Sequence, residues 1–445
     1  MIDSPPPTPP ARHPKDGERR FEEETAACEW AESYRPGKYH PVDLGDVLVD
    51  DRFTVVRKLG YGSFSTVWLA HDSAQDAYVA LKILVAKQSG TSGKLPTEAA
   101  MYRFLEEKTK GDPNKKKTFE SHFVKLLSTS TVNGPNGTHT CLAFEPTGPT
   151  VNDMLDELPE YKSQRWTPKM RYPVWMAKQI LRGVLEALQL LHANGVVHGD
   201  VQPGNMLFSL KEGSLDKKTR EELSSVKRTT DDDDDSDDND SYFASPLADC
   251  AEFTDPDFNI KLADLGAAYV IDNPPSDNVT PVGLRAPELI FGQPRSVVDP
   301  RVLDVWAIGC LLFGLVTGQR LFCVSGYPDE DDCNDDHLQD LSAYLGPLPD
   351  DLFSQWKRSH LYFRVKEDGT RVLYNCQLGG IPPGGEAYLY PLETLEEMFD
   401  KAAPEVSSSA EALQIKQLIL RILQYDPEKR PTVTDILQDA WFTKE

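Results

Sequence analysis

No two cysteines of this sequence stand in a CxxC pair, and the seven present (Cys28, Cys141, Cys250, Cys310, Cys323, Cys333 and Cys376) are scattered and odd in number. That argues against a disulfide framework and for reduced thiols, which places the protein in cytoplasm or nucleus. Long apolar runs are also missing. The longest uncharged one, "VWAIGCLLFGLVTG" from Val305 to Gly318, falls short of the roughly 18 residues that span a bilayer. The start, "MIDSPPPTPPARHPKDGERR", lacks the apolar core of a signal peptide, so no membrane association is expected. Basic residues are scarce: 47 Lys and Arg stand against 71 Asp and Glu, a formal charge of −24. Such a balance repels phosphate backbones and anionic lipid, speaks against direct nucleic-acid binding, and favours basic partners.

What is present is enough chain for two lobes, since 445 residues exceed the roughly 100–200 of one ordinary domain. Residues 1–30 are rich in proline and charge and are expected to be disordered. From Phe53 the pattern changes. "FTVVRKL", "STVWLAHD" and "AYVALKILV" predict three strands, "KLPTEAAMYRFLEE" a helix, and "FVKLLSTSTV" and "THTCLAFEP" two further strands about the turn "NGPNG". Beyond "PTGPT" the chain reads as mostly helical, and "VWMAKQILRGVLEALQLLHANG" predicts a helix ending at Asn194-Gly195. From Ser209 to Asp257 periodicity vanishes, and Asp231–Asp240 holds eight aspartates in ten residues. A solvated, disordered spacer is the expectation, an acidic docking tail the alternative.

Several residues carry chemistry. In "KLGYGSFSTVWLA", Gly60 and Gly62 fall at a strand-turn-strand, where absent side chains let backbone amides approach phosphate oxygens. Ser65 replaces the third glycine of GxGxxG, and a plain hairpin turn explains this stretch alone equally well. Ala80-Leu81-Lys82 follows on the third strand, at the spacing where a kinase lysine meets nucleotide phosphates. A lysine in an apolar strand needs a partner, which Glu98 supplies better than Glu106 or Glu107; a lysine snorkelling at a strand edge is the alternative.

"VHGDVQPGN" supplies Asp200 to accept a hydroxyl proton and Asn205 as a metal ligand five residues on. "IKLADLGAA" supplies Asp264 at a strand end, suited to chelating magnesium. HxDxxxxN alone arises by chance in roughly one chain of this length in twenty. The HGD triplet is also common in metabolite kinases of the aminoglycoside and choline type, so a small-molecule kinase stays open at this point.

The ordered set Gly60/Gly62, Lys82, Glu98, Asp200, Asn205, Asp264-Leu265-Gly266, Ala286-Pro287-Glu288, Asp304-x-Trp306-x-x-Gly309 and Arg430 resembles the eukaryotic protein kinase signature, over about residues 50 to 445. Within that superfamily the sequence is similar to the SR-protein kinases in "YRPGKYHPVDLGD", "LGYGSFSTVWLA", "GTHTCLAFEPTG", ADLG in place of ADFG, and a long hydrophilic spacer before the DLG strand.

The resemblance implies an α+β bilobal fold, with a small antiparallel sheet lobe (53–145) after an extension (31–52), a hinge (146–149) and a larger helical lobe (150–442) holding the spacer at 209–257. It implies ATP and Mg2+ as cofactors. Leu59, Gly60, Tyr61, Gly62, Ser63, Phe64, Ser65, Val67, Ala80, Lys82 and Glu98 would bind ATP, with Phe144 as gatekeeper and Glu145 to Gly148 against adenine. Asp200, Lys82, Asn205 and Gln202 would serve catalysis, Asn205 and Asp264 the metal, and Glu288, Asp304 and Arg430 the architecture. Partners would be basic or Arg-Ser-rich protein substrates, and the enzyme a monomer.

Departures from the pattern matter. Gly199 stands where many kinases carry an arginine that grips an activation-loop phosphate, which implies activity without that phosphorylation. Gln202 replaces the lysine that contacts the transferring phosphoryl group, turning a charge-assisted contact into a neutral one. A feeble, nucleotide-binding scaffold is therefore the second reading. Thr280 lies one position off the usual threonine, and Leu284 replaces a tyrosine before Arg285. "DEDDCNDDHLQD", Asp329 to Asp340, reads as a solvated loop, or as a dock for arginine-rich substrates.

Overall fold

The computed structural model describes residues 29, 33–89, 96–155, 158, 170–216, 218–224, 244, 246–248, 258–275, 280–292, 298–324, 326–390, 392–403, 406 and 409–443. It divides into two compact units: Met1–Tyr102 with Val124–Pro149 and Ser209–Glu252, and Arg103–Phe123 with Thr150–Phe208 and Phe253–Glu445. The expected disordered start, apart from Glu29, and the aspartate run Asp231–Asp240 lie outside the described residues.

The smaller unit is an antiparallel sheet. Strands β1 (Val47–Leu48), β2 (Phe53–Gly62), β3 (Ser65–Asp72), β4 (Ala77–Leu84), β5 (Leu126–Gly134) and β6 (Gly137–Phe144) lie in the order β1-β2-β3-β4-β6-β5. Alternation sets its core: Phe53, Val55, Trp68, Ala70, Val79, Leu81 and Ile83 bury on one face. The register aligns Lys82 with Val67 on one side and with Leu142 on the other, and Ala80 with Phe144. The helix Thr97–Thr109 carries Glu98 in its first turn, and Tyr102 packs on Phe144 at 5.4 Å between ring centroids.

Part of the spacer is structured, contrary to the expectation of disorder throughout. A short helix, Arg220–Ser224, follows Leu215, and Leu215, Leu223 and Leu247 bury against Val56 and Leu69 of β2 and β3. Three isolated leucines in a polar segment give no periodic signal. They gain their apolar partner only once the sheet has formed.

The larger unit is mainly helical. The helix Val174–Ala193 buries eleven residues and stops where Gly195 takes φ +69°. The helix Arg301–Thr317 is apolar nearly all round and is buried along most of its length. It ends at Gly318, where φ is +70° and a Cβ would lie 2.4 Å from the Met170 carbonyl oxygen. Three small ladders complete the frame: β7 (Val196–Val197) with β10 (Tyr269–Val270), β8 (Met206–Phe208) with β9 (Ile260–Leu262), and β11 (Phe363–Val365) with β12 (Arg371–Leu373).

The acidic run Asp329–Asp340 is not a solvated loop. It forms most of the helix Glu330–Tyr344, whose start is capped by the Asp329 carboxylate accepting from the Asp331 N–H. Cys333, Asp335, His337, Leu338 and Leu341 bury on its inner face. Asp335 is 2% exposed yet fully engaged: Trp356 Nε1 and Tyr362 OH donate to it at 2.6 Å each, and Arg358 Nε lies at 2.8 Å. The same Arg358 holds Asp332 at 2.6 Å. Two aspartates that read as solvent-facing, Asp332 and Asp335, therefore share one guanidinium from within the chain.

Candidate active site

In the smaller unit, β2 and β3 form a hairpin in which Gly62 pairs with Ser65, Tyr61 with Thr66 and Gly60 with Val67. A Cβ at Gly60 or Gly62 would meet nothing within 4 Å, and Tyr61, Ser63 and Phe64 are exposed, so the tip leaves its amides open to a ligand. Ser65 and Ala80 are buried, Leu59 and Val67 half-buried, and Phe144 buried beside Ala80. Lys82 projects from β4 and donates from Nζ to Glu98 Oε2 at 2.7 Å, with the two side chains 12% and 5% exposed. A desolvated pair of this kind holds its ammonium in one place at the cost of stripping two charges of water. Glu145 follows β6 directly: its N–H donates to the Lys125 carbonyl, and its carboxylate accepts from the Lys125 N–H, both at 2.9 Å.

In the larger unit the loop after β7 carries Asp200, and its shape is set by one buried acid. Asp304, 1% exposed, accepts from the backbone N–H of His198 and of Gly199, at 2.9 Å each, and from His192 Nε2 at 2.8 Å. Burial alone would raise the Asp304 carboxyl; the His192 hydrogen bond and the charges and backbone donor of this loop outweigh it and hold it below the ordinary carboxylate range. His198, fully buried, donates from Nε2 to the Ala263 carbonyl at 3.1 Å and accepts at Nδ1 from the Asp200 N–H at 3.3 Å.

Gly199 has a geometric reason to be glycine. Its φ is +78°, and a Cβ there would lie 3.1 Å from the Ala267 carbonyl oxygen. Its own carbonyl accepts from the Thr280 hydroxyl at 3.0 Å, which ties the stretch just before Ala286-Pro287-Glu288 to this loop.

The Asp200 carboxylate is gripped within its own loop. Gln202 Nε2 donates to Oδ1 at 2.9 Å and to Oδ2 at 2.8 Å, and Asn205 Nδ2 donates to Oδ2 at 2.9 Å and to the Asp200 carbonyl at 2.8 Å. Burial pushes this carboxyl up; the Gln202 bond, His198 and the Asn205 bond pull it down, Asp264 adds to the rise, and the net shift is upward. A half-buried carboxylate with raised basicity is suited to receive a proton.

The β8–β9 ladder sets the backbone of Asn205 beside the residue before Asp264. Met206 pairs with Leu262, and the Ala263 N–H donates to the Asn205 carbonyl at 2.8 Å. Asp264 adopts φ +58°, a conformation aspartate tolerates through a local side-chain bond, here from the Gly266 N–H at 3.3 Å. A Cβ at Gly266 would sit 3.0 Å from Asp264 Oδ1. The side-chain oxygens of Asn205 and Asp264 make a hard donor set, the type a small divalent cation takes when phosphates and waters supply the remaining ligands.

Downstream, Glu288 and Arg430 form a buried bidentate pair at 2.6 and 2.8 Å. The guanidinium lies 4.7 Å over the Trp306 ring and donates from Nε to the Gln424 carbonyl at 2.9 Å. Arg285 donates from Nε to the Thr280 carbonyl at 3.1 Å. His192, which supports Asp304, was not singled out in the sequence, where one histidine on an apolar helix carries no signal of its own.

A family model described as a protein kinase domain matches residues 53–220 and 251–442. The chain is 31% identical over 431 residues to a serine/threonine-protein kinase SRPK of Physarum polycephalum, covering 93% of this chain and 91% of the relative. It is 23% identical to the human SRSF protein kinase 3, covering 92% and 89% of the two chains. Among solved structures, a kinase domain superposes with a TM-score of 0.58 at 19% identity, over 91% of this chain and 98% of that one, a likeness of fold.

Proposed function

The chain belongs to the protein kinase family, within it to the SR-protein kinases, and we propose that it moves the γ-phosphoryl of ATP to serine or threonine in Arg-Ser-rich proteins, using Mg2+. The observation that carries this reading is the Asp200 carboxylate fixed by Gln202 and Asn205 in one loop, with Asp264 set beside it by the β8–β9 ladder.

Lys82, aligned by Glu98, would hold the nucleotide phosphates, and the Gly60–Ser65 hairpin would cover them. Asn205 and Asp264 would hold the cation, which when bound neutralises phosphate charge. Asp200 orients the incoming hydroxyl and receives its proton. Most of the rate then comes from positioning. Glu288 and Arg430 anchor the substrate-side segment, and Asp304 keeps the loop bearing Asp200 in register.

A formal charge of −24 supports a basic substrate. With Asp332 and Asp335 engaged by Arg358, and Glu330 lying 3.7 Å from Arg285, the carboxylates at the start of the acidic helix left for such a substrate are chiefly the exposed Asp329 and Asp331. The scattered thiols support cytoplasm or nucleus as the compartment.

The test compares an Arg-Ser repeat peptide, its Lys-Ser counterpart, a generic basic protein and small amines as acceptors for wild type and Asp200→Ala. Expected is transfer to the Arg-Ser peptide that weakens in high salt and falls by about 10²–10⁴ in the variant, the usual worth of a general base. ATP binding without transfer to any protein would support the weak scaffold suggested by Gln202. Transfer to amines alone would overturn the protein-kinase reading.

A further inference from the structure

The segment before β1 is fastened to the β5–β6 turn. Gly37 N–H donates to the Asn136 carbonyl at 2.8 Å, Asn136 Nδ2 donates to the Tyr39 carbonyl at 2.7 Å, and the Ala86 and Lys87 N–H groups donate to the Lys38 and Gly37 carbonyls at 3.1 and 3.0 Å. His40 lies against His139, 4.9 Å between ring centroids, in space that Gly134 leaves free: a Cβ there would fall 2.4 Å from the imidazole.

From this anchored backbone the buried Tyr39 side chain donates its hydroxyl to the Gly62 carbonyl at 2.7 Å. Its ring also packs on Tyr34 at 5.6 Å. Tyr34 in turn donates to Glu29, and Glu29 pairs with Lys58 of β2, both side chains 3% exposed. One run of side chains therefore grips β2 at Lys58 and at Gly62, on either side of Leu59, Gly60 and Tyr61.

The consequence follows from peptide geometry. A trans peptide is planar, with the N–H of one residue pointing opposite to the carbonyl before it. Holding the Gly62 carbonyl toward Tyr39 aims the Ser63 N–H the other way, out of an exposed tip that has no side-chain bulk at Gly60 or Gly62 to fix it.

We infer that Tyr39 is a positioning residue for nucleotide: through the Gly62 carbonyl it pre-orients the Ser63 amide toward the terminal phosphates. This rests on the reading of the Gly60–Ser65 hairpin as the nucleotide cover. An amide already pointed at its acceptor binds without reorganising, so the effect belongs to the phosphates and not to the base.

The test is Tyr39→Phe in the full chain, which keeps the ring and loses one hydrogen bond. Dissociation constants for ATP and for adenosine are measured, with hydrogen exchange of residues 60–66. Expected is a three- to tenfold weaker ATP complex, adenosine affinity unchanged, and faster exchange confined to the hairpin. Unchanged ATP affinity, or an equal loss for ATP and adenosine, would overturn the inference, the latter showing a general packing role. Lys82→Met separates the two levels. If it loses ATP while Tyr39→Phe binds normally, the Tyr39 role alone fails; if Lys82→Met binds ATP as wild type does, the nucleotide-site reading fails with it.

Discussion

Gln202 donates through a single amide nitrogen to both carboxylate oxygens of Asp200, at 2.9 and 2.8 Å. The residue that departs from the kinase pattern thus retains a hold on the Asp200 carboxylate but brings no charge to it.

Replacing Gln202 with lysine adds that charge. The carboxyl falls, the acidic limb of the kcat/KM profile moves to lower pH, and kcat rises about three- to tenfold, as a charge-assisted contact is roughly twice as strong as a neutral one. Gln202→Ala removes a bond that opposes the effect of burial. Its acidic limb moves to higher pH and kcat falls. Profiles of both variants that coincide with wild type would show that Asp200 is not the titrating base.

Glu98→Ala leaves the Lys82 ammonium, 12% exposed, without its carboxylate. The lysine loses its fixed place, and kcat/KM for ATP drops at least about tenfold, the scale of one charge-assisted contact of roughly 1.5–3 kcal/mol. Peptide KM should stay near wild type in steady-state assays.

Gly199→Arg tests whether restoring the usual residue restores anything. The left-handed conformation costs a residue with a Cβ about 1–2 kcal/mol, before the approach to the Ala267 carbonyl at 3.1 Å is counted. Activity is expected to fall in the Arg and Ala variants alike. A gain in the Arg variant alone would mean that this loop can reshape around the guanidinium.

Glu288→Gln strands the Arg430 guanidinium in a buried site, where breaking such a pair costs about 3–5 kcal/mol. A large drop in the midpoint of urea unfolding is expected. Replacing both residues with apolar ones of similar volume should recover most of it.

Asp304 makes stability depend on pH in a known sense. A carboxyl depressed in the folded state adds stability that is complete above its unfolded value near 4 and is lost as pH falls through the lower folded value. The urea midpoint of wild type should exceed that of Asp304→Asn at pH 7. That gap should begin to close below about pH 4. A gap that stays constant down to pH 3 would show that the carboxylate charge is not what holds the loop.

What the sequence by itself determined was local. Strand alternation from Phe53 to Phe144, the helix that stops at Asn194-Gly195, and the order of Lys82, Asp200, Asn205 and Asp264 follow from period, turn chemistry and spacing, all properties of neighbours along the chain. The tertiary structure decided which charges meet. Asp335 looks like any member of an acidic run until Trp356, Tyr362 and Arg358 close on it, and Leu215 and Leu223 look like strays until β2 and β3 give them a face. Gly199 read as a missing arginine, and only its backbone angle shows a residue kept for conformation. Tyr39 and Gly62 are 23 residues apart. Their bond depends on where the folded sheet puts a carbonyl, and no periodicity records that.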